Sequence, residues 1–516
     1  MHGNRKDSSM SRSLRRLSKS RVQSGAQCTL RLWNDCFERD RATPVDEQLQ
    51  FVFDRGTQVG LLAQQRYPGG RVIDPESGMD AVRNVGISDG EVRAISEDAL
   101  EGRDAVDATG KVVTAGFIDL HSHGQDSENY EVQARDGVTT ALELEVGVGD
   151  VDEWYDDREG NTLTNFGASA GHIPVRMQVM NDPGAFLPVA DAAHREASES
   201  ELEEIKAGVE RGLQRGALAV GFGLDYTRGC SRWEVLEIFR IAAKYEASCH
   251  VHLRGKGHKE PMSSIEDAGE VIAASAISGA PLHIVHIQST GMHATRQTLQ
   301  MVAEAQERGL DVTTECYPYT AGMTAIDSAL FDEGWQDKYG IDYDKLQWVD
   351  TGERLNASTF AQYRETGGMV IVHSTPEDAV NAAVLSPLTA IATDGILHNG
   401  KGHPRTAGTY SLILGRFVRK RGELSMSDAL RKMSLMPAQR LQKRAPAFAK
   451  KGRLRVGFDA DIVIFDPETV IDNSTYEEPT LPPTGMEHVI VGGVRIVDDG
   501  KVVEGVAPGK GVKAQR

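Results

Sequence analysis

Residues 116–126 read GFIDLHSHGQD, an apolar strand that ends in two histidines, His121 and His123, spaced two apart. Side chains alternate along a strand, so both imidazoles point the same way. At the C-terminal mouth of a barrel strand they would face a metal. Alone, such a pair is more often a satisfied surface or core feature. Its company changes the weighing. His252 closes the run ASCHVH, His286 closes LHIVH and Asp394 closes LTAIATD, each at the end of a further apolar run. Four imidazoles and a carboxylate at one end of four strands are hard to obtain as packing, because buried polar ends need partners and a metal supplies them jointly.

Further out, the runs VVTAGFID, TTALELE, VRMQVM, ALAVGF, ASCHVH, LHIVH, DVTTECY and LTAIATD alternate with segments of helical period such as SELEEIKAGVERGLQRG. Eight buried strands separated by helices predict an α/β fold, a (β/α)8 TIM barrel, over residues 113–445. The stretch 327–368, with Trp335, Tyr339 and Trp348, is long for a βα loop and is expected as an insertion over the barrel mouth. Short β segments punctuated by Asp-Pro and Asp-Gly flank the barrel at 70–112 and 446–516, which predicts a small β-sandwich domain built from both flanks. Residues 1–69 fit neither pattern and are expected to form a leader of uncertain order.

The chain has 516 residues, with 57 Lys and Arg against 75 Asp and Glu, for a net charge of −18. That balance argues against nucleic acid as a partner. No apolar run approaches the ~20 residues of a membrane helix, so no membrane partner is expected. Residues 1–22 concentrate seven basic residues against one acid, Asp7, the texture of a transit peptide or of a solvated tail. Five scattered cysteines fit a reducing compartment and a cytoplasmic location, and a homo-oligomer is compatible with the composition.

From Gly70 to Val503 the chain resembles the metal-dependent amidohydrolase superfamily, and within it the D-aminoacylase (N-acyl-D-amino-acid deacylase) group. GRVIDPESG, AGFIDLHSH, DGVTT, GALAVGFGLDY, HLR, DVTTECYPYTAG, ATDG, HPRTAGTY and DADIVIFDP carry the resemblance, in that order. It implies that His121 and His123 bind one metal, that His252 and His286 form the second site, and that Asp394 belongs to the metal-binding set and acts on the attacking water. It also implies Tyr226, Tyr319 and Arg405 near the acyl and carboxylate groups of the substrate. Separately, LSKSRVQSGAQCTLRLWNDC near the start resembles the opening of an uncharacterised family related to PD-(D/E)xK nucleases, with no nuclease acidic motif after it.

The chain departs from the deacylase pattern in three places. Val146 stands where the group has a cysteine ligand, and the preceding LELE offers Glu143 and Glu145 instead. Glu145, nearer the strand end, is expected as the metal-bridging carboxylate, with Glu143 in reserve. Gln288 replaces a lysine expected to anchor the substrate carboxylate, and Gly255 and Lys256 replace an acidic pair. The expected cofactor is zinc, one or two ions. The expected activity is metal-dependent hydrolysis of linear amides, with N-acyl-D-amino acids, acidic ones included, as substrates. A cyclic amide hydrolase of the dihydroorotase or hydantoinase kind, a dipeptidase and an inactive scaffold are the alternatives. The first of these usually needs a lysine that GALAVGFGL does not offer. His172, His373 and His403 are expected to make structural hydrogen bonds. His250 is either an outer-sphere group or a packed residue, and His283 is expected to face away from the mouth.

Overall fold

The computed structural model describes residues 69–257 and 259–515, so the leader expected at 1–69 lies outside the described residues except for Gly69. The described part opens with β1 (Gly70–Asp74), β2 (Met79–Ser88), β3 (Glu91–Ser96) and β4 (Val112–Ala115). The long β2 serves two layers. Its first half pairs with β1, which also pairs with β4, and its second half pairs with β3. At Gly116 the chain leaves this sheet and enters the barrel. A Cβ there would sit 2.1 Å from Thr139 Oγ1, so only glycine lets the two strands pass so closely.

Eight parallel strands follow: β5 (Phe117–Asp119), β6 (Val138–Val148), β7 (Asn165–Gly171), β8 (Ala219–Gly223), β9 (Ser248–His252), β10 (Leu282–Ile284), β11 (Val312–Cys316) and, after an excursion, a final strand at Thr389–Ile391. They pair in sequence from β5 to that last strand. A bridge between Ser122 and Gly395, with Asp394 N donating to His121 O at 2.7 Å, joins the two ends. The result is the predicted TIM barrel, its eight strands buried almost throughout. The excursion contains β12 (Gly322–Ala325), β13 (Leu346–Trp348) and β14 (Met369–Val372), an antiparallel three-stranded sheet. The final barrel strand is therefore β15. The short pair β16 (Leu397–His398) and β17 (Lys401–Gly402) follows it. The excursion packs its own core of Ile326, Phe331, Trp335, Trp348 and Val370 against Ile173, Met177 and Tyr226 of the barrel.

The third strand corrects the sequence reading. VRMQVM is not extended: it belongs to the helix His172–Met180, which buries Ile173, Arg176, Met177 and Met180 at helical spacing and carries Pro174 in its first turn. The strand is instead NFGASAG. Its small residues hide its nature but answer to crowding, since a Cβ at Gly171 would meet Val146 O at 2.3 Å. Gly221 on β8 is equally confined, with Glu145 O and Leu144 O at 2.3 and 2.7 Å from any added Cβ. Backbone cannot yield as a side chain tip can. Gly221→Ala is therefore expected to cost about 1–3 kcal/mol, read as a lower melting temperature. Gly149→Ala, whose Cβ would meet only Pro174 Cβ at 3.7 Å, should be close to neutral.

The chain then returns to the first sheet as β18 (Ile462–Phe465), β19 (Met486–Val491), β20 (Val494–Asp498) and β21 (Lys501–Val502), with β18 against β4. β3 bonds across to residues 457–460, so two layers enclose Val72, Val92, Val113, Leu454, Ile462 and Ile464. The last described residues run back along the barrel, where Val512 N donates to Phe166 O at 2.8 Å. No helix among the described residues is long and apolar enough to cross a membrane.

Candidate active site

At the C-terminal mouth of the barrel the strand ends converge. His121 and His123 follow β5, Glu143 and Glu145 face inward from β6, His252 ends β9, His286 follows β10 and Asp394 follows β15. His286 and Asp394 have φ of 29° and 53°, in the left-handed region that non-glycine residues avoid. Each such residue costs on the order of 1–3 kcal/mol, and strain of this kind concentrates at functional sites. At His286 it has a visible consequence. The left-handed turn after Ile284 directs His286 inward although His283, three residues earlier, also points into the barrel.

The outer ring nitrogens are fixed one by one. Glu315 Oε1 accepts from His121 Nδ1 at 2.6 Å, Glu143 Oε2 accepts from His123 Nδ1 at 2.7 Å, and His286 Nδ1 lies 3.1 Å from Ser289 Oγ. With Nδ1 donating, the Nε2 lone pairs of His121 and His123 are left facing each other at 3.1 Å. Asp394 Oδ1 stands 3.4 Å from both of these nitrogens. Glu145 Oε2 lies 3.5 and 3.8 Å from them, and its Oε1 is 3.1 Å from His252 Nδ1, which in turn lies 3.1 Å from His286 Nε2. Spacings near 3.4 Å are long for hydrogen bonds and match the separation of two ligands on one tetrahedral ion at ~2.0–2.1 Å. Two ligand triplets, His121–His123–Glu145 and Glu145–His252–His286, share Glu145.

Electrostatics agree with that arrangement. Burial opposes charge on His121, but Asp394 and Glu315 outweigh it and raise its pKa to about 9. Burial likewise opposes charge on His123, yet Glu143 and Asp394 hold it well above its ordinary value. Burial disfavours the Asp394 anion, and the Arg405 and His121 charges nevertheless keep it far below the usual carboxylate range. The carboxylates thus call for positive charge between the rings. A divalent cation supplies it without protons, so the donor set fits a metal.

Glu315, on β11, is the residue the sequence reading missed. It is buried and deprotonated, with its pKa held to about 2: burial opposes ionisation, and the bonds to His121 and His283 overcome it. Its Oε2 accepts from His283 Nε2 at 3.0 Å. His283 therefore faces the barrel interior beneath the site, where the expectation had it facing away from the mouth, and its ring lies tilted beside that of His250, with centroids 4.6 Å apart. The available signal was an acid inside the apolar run DVTTECY, the same signal that singled out Glu143 and Glu145. Glu315→Gln should weaken zinc binding by ~10- to 100-fold in a competition titration with folding unchanged, because the amide has one accepting oxygen where His121 and His283 each use one, and it brings no negative charge to the His121 ring.

The cavity above these groups is walled by Tyr226, Lys256, Ser289, Tyr317 and Arg405, with Phe186 from the barrel side and Thr324 and Met369 from the excursion. Tyr226 accepts a hydrogen bond from Thr324 at 3.2 Å and stands edge-on to His252. Arg405 opens the helix Arg405–Leu412. It is buried, with NH1 2.9 Å from Asp394 Oδ2 and its guanidinium 4.7 Å above the Tyr317 ring. Two expected substrate contacts stand elsewhere. Gln288 is fully buried below the cavity wall, its amide donating to Tyr317 O at 3.1 Å, because the short helix after His286 turns Ser289 toward the cavity instead. Tyr319 packs edge-on to His403, with its hydroxyl 3.5 Å from Pro404 O, and Tyr317 takes the place at the wall. His172, His373 and His403 bond to Glu234, Gln347 and Ala321 O.

N-acyl-D-glutamate deacylase of Alcaligenes xylosoxydans xylosoxydans is 26% identical over 477 residues, 83% of this chain and 92% of that protein. D-aminoacylase of the same organism is also 26% identical, over 479 residues, 83% of this chain and 93% of its own length. Among solved structures, N-acyl-D-glutamate deacylase from Bordetella bronchiseptica, complexed with zinc and a phosphonate mimic of the reaction's tetrahedral intermediate, superposes with a TM-score of 0.73. It is 25% identical, with 86% of this chain and 98% of that one covered. The family model described as the amidohydrolase family matches residues 104–178 and 176–497, the span that holds every group gathered at the barrel mouth, and the chain belongs to that family.

Proposed function

We propose that the protein is a zinc-dependent amide hydrolase that deacylates N-acyl-D-amino acids to the free amino acid and a carboxylate. The observation that carries this reading is the pair of ligand triplets joined at Glu145, with Asp394 3.4 Å from both His121 and His123 and open to the same cavity. The similarity to N-acyl-D-glutamate deacylase and D-aminoacylase supports the substrate class. His121, His123, Glu145, His252 and His286 would hold the metal, with Glu143, Glu315 and Ser289 fixing the outer ring nitrogens. When bound, one or two zinc ions supply a water with a pKa near 7 and polarise the scissile carbonyl.

The remaining work falls to the protein's own side chains. Asp394 accepts the proton of the attacking water and returns it to the departing amine, a role that its ionised carboxylate, open to the cavity and 3.4 Å from the ring nitrogens of His121 and His123, suits. Arg405 keeps that carboxylate ionised and oriented. Tyr226, held by Thr324, is a hydroxyl donor toward the developing oxyanion. The aliphatic side chains Met323, Leu330, Met369 and Val372 of the excursion, with Phe186 opposite, exclude bulk water around the acyl group.

The test is a panel of N-acetylated D- and L-amino acids, with dihydroorotate and hydantoin as cyclic amides, run on zinc-loaded protein. Hydrolysis of the D-series is the expected result. Opening of the cyclic amides with no release of acetate from any linear member would overturn the reading.

A further inference from the structure

The cavity wall holds two cations, Lys256 and Arg405, and they differ in what surrounds them. Arg405 is committed. It is 1% exposed, paired with Asp394 and laid over Tyr317. Lys256, four residues beyond His252, has no ion pair and no hydrogen bond among the described residues. Its ammonium stands 5.0 Å from the centre of the Tyr339 ring. The nearby acid, Asp225, is already taken: Lys338 Nζ lies 2.7 Å from its Oδ1, Arg228 NH2 3.0 Å from the same atom, and Tyr339 OH donates to its Oδ2 at 3.0 Å. Lys256, Lys338 and Arg228 thus stand against Asp225 and, beside Arg228, Asp332, which leaves that part of the wall with excess positive charge.

Lys256 is partly buried, and of the two acids whose charge reaches it Asp225 is bonded to Lys338, Arg228 and Tyr339 and Asp394 is paired with Arg405, so its ammonium has no direct partner and a ligand anion would supply one. We infer that Lys256 is the anion-binding residue of the cavity and receives a carboxylate of the substrate, the function that the resemblance gives to Arg405 and to the lysine that Gln288 replaces. The inference rests on the deacylase reading and adds the residue that selects for acids. The carboxylate is either the α-carboxylate of the amino acid or an acidic side chain. Both are the same chemistry to an ammonium, and substrates separate them. The Tyr339 face beside it adds a polarisable wall that favours the protonated amine.

Lys256→Met and Lys256→Arg, assayed as zinc-loaded full-length protein, test this. Lys256→Met should raise KM for the substrate acids by roughly ten- to a hundredfold, the loss of one charge-assisted hydrogen bond, with kcat held within a few fold. Lys256→Arg should restore most of the affinity. A shift for both N-acetyl-D-leucine and N-acetyl-D-glutamate assigns the α-carboxylate, and a shift for N-acetyl-D-glutamate alone assigns the side chain. The neutral N-acetyl-D-leucinamide, read as a competitive inhibitor, should keep its inhibition constant. Lys256→Gln, read by the same split, replaces Lys256→Met if the latter does not fold. An unshifted KM for both acids, or an equal loss of affinity for the neutral amide, overturns the inference. Wild-type protein that deacylates no N-acetyl-D-amino acid of the panel overturns the deacylase reading and this inference with it, whereas wild-type turnover with an unshifted variant overturns the inference alone.

Discussion

Asp394→Asn is expected to lower kcat by at least ~10²-fold while zinc content and melting temperature stay close to those of the unaltered protein. The carboxamide cannot take the proton of the attacking water, and that loss acts on the transition state rather than on binding. Folding should survive for a local reason. Asp394 has φ 53°, and asparagine is as much at ease there as aspartate, so the backbone bond from Asp394 N to His121 O is kept. The substitution also removes the partner of Arg405, whose guanidinium then faces the cavity uncompensated. KM for acidic substrates should therefore hold or fall. A kcat near the original would show that another group moves the proton.

Glu145→Gln should cost more zinc and more activity than Glu143→Gln. The two residues sit on one face of β6, yet their surroundings differ. Glu143 is spent on fixed partners, His123 Nδ1 at 2.7 Å and the backbone N of Gly147 at 3.1 Å. Glu145 faces the rings of both triplets, with one oxygen toward His121 and His123 and the other toward His252. Loss of an outer carboxylate of the Glu143 kind typically reduces metal affinity by ~10- to 100-fold. Loss of the shared carboxylate should exceed that, and turnover should fall by ~10²-fold or more with it. Metal content and kcat measured on both variants decide the order. Equal, mild effects would remove Glu145 from the centre.

The barrel and most of its mouth were legible because both rest on local pattern. An apolar run ending in histidine or aspartate is a short-range signal, and strand alternation alone sends His121 and His123 to one side. What escaped depends on distant neighbours. NFGASAG is a strand because Val146 and Leu218 crowd it, a fact no window around Gly167 and Gly171 contains. VRMQVM alternates well enough to pass for a strand, yet the helix period through Ile173, Met177 and Met180 prevails once the excursion packs on it. His283 and His286 share the barrel interior only because the chain turns left-handed at His286. Gln288 and Tyr319 lost their place at the wall to their neighbours Ser289 and Tyr317 for the same kind of reason, a helix start and a chain direction that residue type does not encode.

Zinc titrated into chelator-stripped protein, with release of acetate from N-acetyl-D-glutamate followed at each addition, tests the metal-dependent hydrolysis most directly. Turnover should be absent in the stripped protein and rise in step with occupancy, saturating at about one to two ions per chain. Full-rate hydrolysis by protein shown to be free of zinc and other divalent metals would contradict it.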